Sequence, residues 1–377
     1  MALKLIMSGG GSGGHVNPAL AIAKYFVERN RDVKTEVLFV GTKAGLESVL
    51  VPKEGFEIKF VNVRGIKRKL TPSNIYSLIL SVTSRWEVRR IIKEFQPDLA
   101  IGTGGFAAWP TLKVAAGMGI PTMIHESNAF PGVTTKLLAP HAGRVLLTFD
   151  ECKKYLRRTD NCVVTGNPIK EEFYHADRAA ARRKLNLAGD ELFILSYGGS
   201  QGAYYLSLEM LQAMAELTGP AGVRHIHITG PKEFGQMTRK FGELGLSEYP
   251  NLQLLDYCYE MPQYMAAADL VICRAGSMTL SELAALGQAS VLVPSPYVAE
   301  NHQFRNAAVL RDAGAAKIVE EKQFAGGAMR AALRELMADR PELAAMGERI
   351  RRFSVGDPLG LIYEQAVGLL GNKGKIH

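Results

Sequence analysis

The side chains best suited to chemistry stand beside glycine-rich loops. His15 follows Gly9, Gly11 and Gly14 in "SGGGSGGHVNP". An imidazole there can take a proton from a hydroxyl near neutral pH, or it can simply hydrogen-bond the loop. "PTMIHESNAFPG" places His125, Glu126, Ser127 and Asn128 after an apolar run. That density of polar groups marks either the edge of a site or a polar turn before Pro131. Glu126 is a second candidate base.

Three further stretches suit an anionic, hydroxylated ligand. "GGSQGA" (Gly198 to Ala203) precedes a helical pattern. Free N–H groups and the helix dipole there favour phosphate, with Ser200 as an added donor; a capped turn is the alternative. "RAGSMTLSELAALG" offers Ser277 or Thr279 as a helix cap and Glu282 within the first turns. A carboxylate there either accepts two bonds from a ribose diol or only complements the helix dipole. "AENHQFRNA" opens another helix, with Gln303 and Asn306 as amides for sugar hydroxyls.

Gly9, Gly11 and Gly14 fit G-x-G-x-x-G, but a dinucleotide site also needs an acid at the end of the second strand. That strand ends "VLFVGTKAG", without one. The loop therefore serves a tight turn or the close approach of another ligand. Pro18 is expected to open the following helix. No D-x-D pair is present to bridge a metal and a diphosphate, and no cofactor is expected. The four cysteines lack C-x-x-C spacing and read as small apolar residues. His225 and His227, two apart on a strand, read as structural.

Short apolar runs alternating with helical patterns must position these groups. Strands are expected at 3–7, 36–40, 58–63, 98–102, 121–125 and 144–149. In the second half they fall at 191–197, 223–229, 251–257, 270–274, 290–294 and 316–320. The alternation predicts an α/β protein with parallel sheets. Each half opens with a strand, a glycine-rich loop and a helix, and carries a second glycine-rich loop further on. Two Rossmann-like domains facing across a cleft are predicted, 1–166 and 167–356, joined near Gly166-Asn167-Pro168. With 377 residues, two cores are expected.

The net charge of +8 is local. Residues 64–93 carry eight bases (Arg64, Lys67, Arg68, Lys69, Arg85, Arg89, Arg90, Lys93) against one acid, Glu87. Ile75, Leu78, Ile79, Val82, Trp86 and Ile91 lie among them. The mixture suits an anionic membrane surface, or a core helix with a solvated basic face. No base-reading or aromatic pattern supports nucleic-acid binding. No signal peptide and no spanning run is present, so a cytosolic, peripheral protein is expected.

Seven segments in order ("GGGSGGHVNP", "GTGGFAAWP", "IPTMIHESNAFPG", "VVTGNPIK", "GGSQGA", "ADLVICRAGSMTLSE" and "NHQFRNA") resemble the MurG family of peptidoglycan glycosyltransferases over roughly residues 3–370. The resemblance implies a GT-B fold and UDP-N-acetylglucosamine as donor. It implies an undecaprenyl-pyrophosphoryl N-acetylmuramoyl-pentapeptide (lipid I) as acceptor, a β-1,4 product bond with inversion, and work at the cytoplasmic face of the membrane. It implies donor contacts at Ser12, Gly13, Gly14, Asn128, Lys170, Ser200, Gln201, Cys258, the run Ser277, Met278, Thr279, Leu280, Ser281 and Glu282, and Gln303. Uridine falls near Cys258, the ribose on Glu282 and the sugar on Gln303, with His15 and Glu126 on the acceptor side. A C-terminal helix, about 357–377, is implied to return to the first domain. Lys170 stands where relatives often carry arginine, which keeps the charge but loses the bidentate fork.

Overall fold

The computed structural model describes residues 2–31, 34–64, 72–199, 202–219, 221 and 223–371, with backbone alone at 72–79, 81 and 82. The chain divides into two compact units, Met1–Ile169 with Asp357–His377, and Lys170–Gly356.

The first unit contains β1 (Leu3–Gly9), β2 (Thr35–Gly41), β3 (Glu57–Phe60), β4 (Leu99–Gly104), β5 (Thr122–Glu126), β6 (Arg144–Leu147) and β7 (Cys162–Val164). They pair in the order β3-β2-β1-β4-β5-β6-β7, all parallel. The second unit contains β8 (Phe193–Tyr197), β9 (Arg224–Ile228), β10 (Leu252–Leu255), β11 (Leu270–Cys273), β12 (Ser290–Leu292) and β13 (Lys317–Ile318). Their order is β10-β9-β8-β11-β12-β13, again parallel. Helices cover both faces of such sheets, so central strands read as nearly continuous apolar runs, as "LKLIM" and "FILSY" do, each with one polar residue. The three-residue edge strand β7 was not expected from sequence.

In each sheet the strand order reverses once, between β1 and β4 and between β8 and β11. At such a switch point two adjacent loops diverge to opposite faces and leave a crevice at the carboxyl ends of the strands. The four glycine-rich loops recognised in the sequence are the loops after these four strands.

The helix after β1 runs Gly13–Arg29, five residues ahead of the expected start. Pro18 lies inside it. Ser12 is the N-cap through its backbone: its carbonyl accepts the N–H groups of His15 and Val16, both at 3.1 Å. His15 is thus in the helix's first turn.

The helix Pro358–Leu370 packs on the first unit. Ile362, Tyr363, Ala366 and Leu370 join the core with Phe26, Ala23 and Leu3. The Tyr363 hydroxyl donates to Asn30 Oδ1 at 2.5 Å.

The helix Pro72–Phe95 buries Leu80, Ser84, Val88 and Ile92, a stripe at four-residue spacing. Arg85, Trp86, Arg89, Arg90 and Lys93 are exposed, Trp86 by 75%. Ile91, counted among the interfacial residues, packs instead against the core. Lys67, Arg68 and Lys69 lie outside the described residues, as do the side chains of Ile75, Leu78, Ile79 and Val82. Among the described residues no helix is long and apolar enough to cross a membrane.

Candidate active site

At the first unit's switch point the two glycine loops pack on each other. Gly10 N–H donates to the Gly104 carbonyl at 3.3 Å. His15 is half-buried between them. Its Nδ1 lies 2.8 Å from the Thr103 carbonyl oxygen, and the Thr103 hydroxyl donates to the His15 carbonyl at 2.6 Å. A carbonyl oxygen can only accept, so Nδ1 carries the proton and the Nε2 lone pair is the basic one. Gly104 stands at φ +106°, and a Cβ there would lie 2.6 Å from the imidazole. Only glycine lets the ring sit against this loop.

Ser12, Gly13 and Gly14 form the start of the helix that carries His15. No acidic residue lies in its first turn and Ser12 makes no side-chain cap. This is an open, partly positive helix end.

Glu126, the second candidate base, is committed elsewhere. Its Oε1 accepts from the Asn128 backbone and side-chain N–H groups at 3.0 and 3.1 Å. Its Oε2 accepts from Gly132 N–H at 3.0 Å and the Thr135 hydroxyl at 2.6 Å. With 4% exposure and four bonds, this carboxylate shapes the loop and holds Asn128 rather than waiting for a proton. His125 is fully buried and donates from Nε2 to the Gly166 carbonyl at 2.9 Å; burial pushes its pKa down.

In the second unit the helix Ser277–Leu286 begins at the switch point, after β11. Its N-cap is Gly276, not Ser277 or Thr279, and no side chain caps it. Gly276 enters the helix with extended backbone, and a helix start without a side-chain cap is the kind of end that favours an anion. Leu280 is 1% exposed, so its side chain serves the core. Met278, Thr279, Ser281 and Glu282 are half-buried. Burial pushes the Glu282 carboxyl up to about 7, opposed by the charge of Lys170. Arg274, at the end of β11, is ion-paired to Glu321 and donates to the Val293 carbonyl.

Gln303 Oε1 accepts Ser295 N–H at 2.8 Å, which fixes the amide and leaves its N–H₂ group as the donor end. Asn306, expected beside it, is fully buried. Cys258 lies in the loop after β10, and burial raises its thiol pKa.

Ser200 and Gln201 lie outside the described residues. Behind their loop, the start of the helix Tyr204–Ala213 meets the side chain of Glu233. The Glu233 carboxylate takes the Ala203 and Tyr204 N–H groups and the Ser207 hydroxyl. Burial raises the pKa of Glu233.

His225 and His227 are buried around Ser196, whose hydroxyl lies 2.9 Å from one ring and 2.8 Å from the other. Burial pushes them down to about 3 and about 4. They are neutral core groups, as read from the sequence.

Sequence reasoning missed Glu47, Thr103, Glu233 and Arg274. Glu47 was discoverable as the acid in "GTKAGLESV", opening a helix behind Gly41 and Gly45. Among the described residues no three His, Cys, Asp or Glu side chains gather as a metal site.

Two Rossmann-like units, each presenting a helix start at its switch point, define a GT-B protein. The glycosyltransferase family 28 N-terminal domain matches residues 5–147, and the family 28 C-terminal domain matches 193–357. The chain belongs to this family and, within it, to the MurG group. It is 42% identical over 371 residues to the UDP-N-acetylglucosamine–N-acetylmuramyl-(pentapeptide) pyrophosphoryl-undecaprenol N-acetylglucosamine transferase of Acetivibrio thermocellus, covering 98% of this chain and 99% of that one. The crystal structure of Acinetobacter baumannii MurG superposes with a TM-score of 0.79 at 27% identity, over 97% of this chain and 99% of that one. A UDP-GlcNAc 2-epimerase from Neisseria meningitidis superposes with a TM-score of 0.62 at 14% identity, over 97% and 100% of the two chains; that likeness shows the fold alone.

Proposed function

We infer that the chain transfers N-acetylglucosamine from UDP-N-acetylglucosamine to the 4-hydroxyl of N-acetylmuramoyl-pentapeptide on undecaprenyl pyrophosphate, in peptidoglycan synthesis. The observation that carries this reading is the full-length relation to a transferase of that name, 42% identical over 98% of the chain.

In the mechanism, His15 Nε2 takes the proton of the acceptor 4-hydroxyl. The oxygen attacks the anomeric carbon as the bond to the diphosphate breaks, with inversion, and UDP leaves. N–H groups at the uncapped start of the helix Ser277–Leu286 stabilise the leaving diphosphate, and Lys170 adds charge. Glu282 accepts from the ribose diol. Gln303 donates to a sugar hydroxyl, and Asn128 stands ready in the loop that Glu126 holds. Cys258 meets uracil through its backbone, and Ser12, Gly13 and Gly14 flank the sugar beside His15.

The test is transfer of radiolabelled N-acetylglucosamine to a lipid I analogue in the presence of EDTA. Labelled lipid product is expected. Donor binding without product would move the acceptor to another class, and absence of donor binding would sink the whole assignment.

The chain works peripherally at the cytoplasmic face of an anionic membrane, which it meets through 64–93. The exposed face of the helix Pro72–Phe95, with Trp86 among Arg85, Arg89 and Lys93, supports this reading. Each base near an anionic surface contributes about 1 kcal/mol. Reversing Arg85 and Arg89 to glutamate is therefore expected to weaken binding to phosphatidylglycerol vesicles at least about tenfold in a flotation assay. Equal flotation of both proteins would remove this helix from the docking surface.

A further inference from the structure

We propose that Glu47 is a positioning residue for the transfer step, holding the glycine loop that carries His15. It opens the short helix Glu47–Lys53, after β2, and is 1% exposed. Its Oε2 accepts Gly11 N–H at 2.8 Å. Its Oε1 accepts the Thr42 N–H at 2.9 Å and the Thr42 hydroxyl at 2.7 Å. The loops around it are shaped to admit this carboxylate. A Cβ at Gly10 would lie 2.5 Å from Oε1 and one at Gly41 2.6 Å from Cγ. A Cβ at Gly45 would collide with Oε2. Three of the glycines in "SGGG" and "GTKAG" are thus explained by one buried acid.

The connection to His15 is short. Gly11 is followed by Ser12, whose carbonyl accepts the His15 N–H at 3.1 Å. Gly10, on the other side of Gly11, donates to Gly104, the residue against which the imidazole packs. Moving Gly11 therefore moves both the first turn of the helix and the contact between the two glycine loops. A buried carboxylate that receives three donors offers acceptors only. Glutamine in its place must turn an N–H₂ group toward at least one of those donors, leaving two donors face to face.

The second unit repeats the device. Glu233, in the first turn of the helix Pro231–Glu243 after β9, receives the Ala203 and Tyr204 N–H groups behind the loop that follows β8. Each unit thus reaches back with an acid from the helix after its second strand to the glycine loop after its first. In a dinucleotide-binding fold, an acid at that strand end holds a ribose. Here both acids are spent on the protein's own loops, which leaves the loops' geometry, and not the acids, to the ligand.

This inference rests on His15 as the base, so the experiment couples the two residues. Glu47→Gln, His15→Ala and the double variant are assayed in full-length protein with UDP-N-acetylglucosamine and a lipid I analogue, alongside circular dichroism. Glu47→Gln is expected to keep native dichroism and the KM for the donor within about threefold, and to lose roughly ten- to a hundredfold in kcat, since small misplacements of reacting groups cost that much. The double variant is expected within about twofold of His15→Ala, because both changes remove one function. If Glu47→Gln fails to fold, Thr42→Val carries the test: roughly threefold in kcat beside an intact His15, and nothing beside alanine. A kcat retained within about twofold in Glu47→Gln, or losses that multiply in the double variant, would overturn the proposal and leave Glu47 a structural group. No product even from the unmodified protein would overturn the assignment of function, and this inference with it.

Discussion

Replacing His15 by alanine is expected to lower turnover by roughly 10²- to 10⁴-fold with donor affinity nearly unchanged, the range a positioned general base contributes. The Thr103 carbonyl, 2.8 Å from Nδ1, forces the tautomer whose Nε2 lone pair is basic. The Thr103 hydroxyl clamps the His15 carbonyl from the other side. Both contacts lie at a strand-order reversal, where a ligand is expected to sit. Glu126 does not compete for the role, because its two oxygens already accept four bonds within their own loop. The two residues therefore give different signatures. His15→Ala should fold and bind UDP-N-acetylglucosamine normally while kcat collapses. Glu126→Ala should loosen residues 127–135 and lower the melting temperature as well as activity. A His15→Ala protein with near-wild-type kcat would remove it as base.

What could be read in the sequence follows from what each feature depends on. Strands buried on both faces are continuous apolar runs, so β1, β4, β8 and β11 were plain, and the loops that end them were plain by their glycines. Edge strands have neighbours on one side only, and the short "CVV" of β7 ends in polar residues on both flanks, so it went unread. The ends of helices were displaced because the caps are backbone. Gly276 starts the helix that Ser277 or Thr279 was expected to cap, and Ser12 starts its own helix through its carbonyl. The candidate sites were legible in part, since Glu282 and Gln303 stand in the first turns of helices that follow strands, where polar residue types stand out in the sequence. Glu233 was not, and Glu47 showed only as an acid opening a helix, because the folded sheet alone brings to each of them the backbone N–H groups it receives. The anion site read from "GGSQGA" turns on Ser200 and Gln201, which lie outside the described residues.

Glu282 is the position where stability and binding should separate. Its carboxyl is pushed up to about 7 from an ordinary 4.5, by burial first and against the charge of Lys170. A carboxyl with a raised folded-state pKa binds its proton more tightly than in the unfolded chain. Its favourable contribution is complete below about pH 4.5, fades as pH rises toward 7, and is gone above it. Above neutrality the folded protein carries an ionised group in a half-buried place, at a cost of about 2–3 kcal/mol. Glutamine has the same shape and no charge, so Glu282→Gln is expected to be more stable than the parent by about that amount at pH 8, and by little at pH 4. The donor imposes the opposite demand, because ribose hydroxyls donate best to the ionised carboxylate. Donor affinity in the parent should therefore fall about tenfold per pH unit below 7, as the carboxyl must first give up its proton. In Glu282→Gln affinity should be lower by about 1.5–3 kcal/mol, roughly ten- to a hundredfold in Kd, and flat across the same range. Thermal melts and titration calorimetry with UDP-N-acetylglucosamine at pH 6 and 8 measure both sides. A variant that gains stability yet binds as tightly as the parent would take the ribose away from Glu282. A variant that loses both would mean the carboxylate supports the fold, and that its environment is less dry than its neighbours imply.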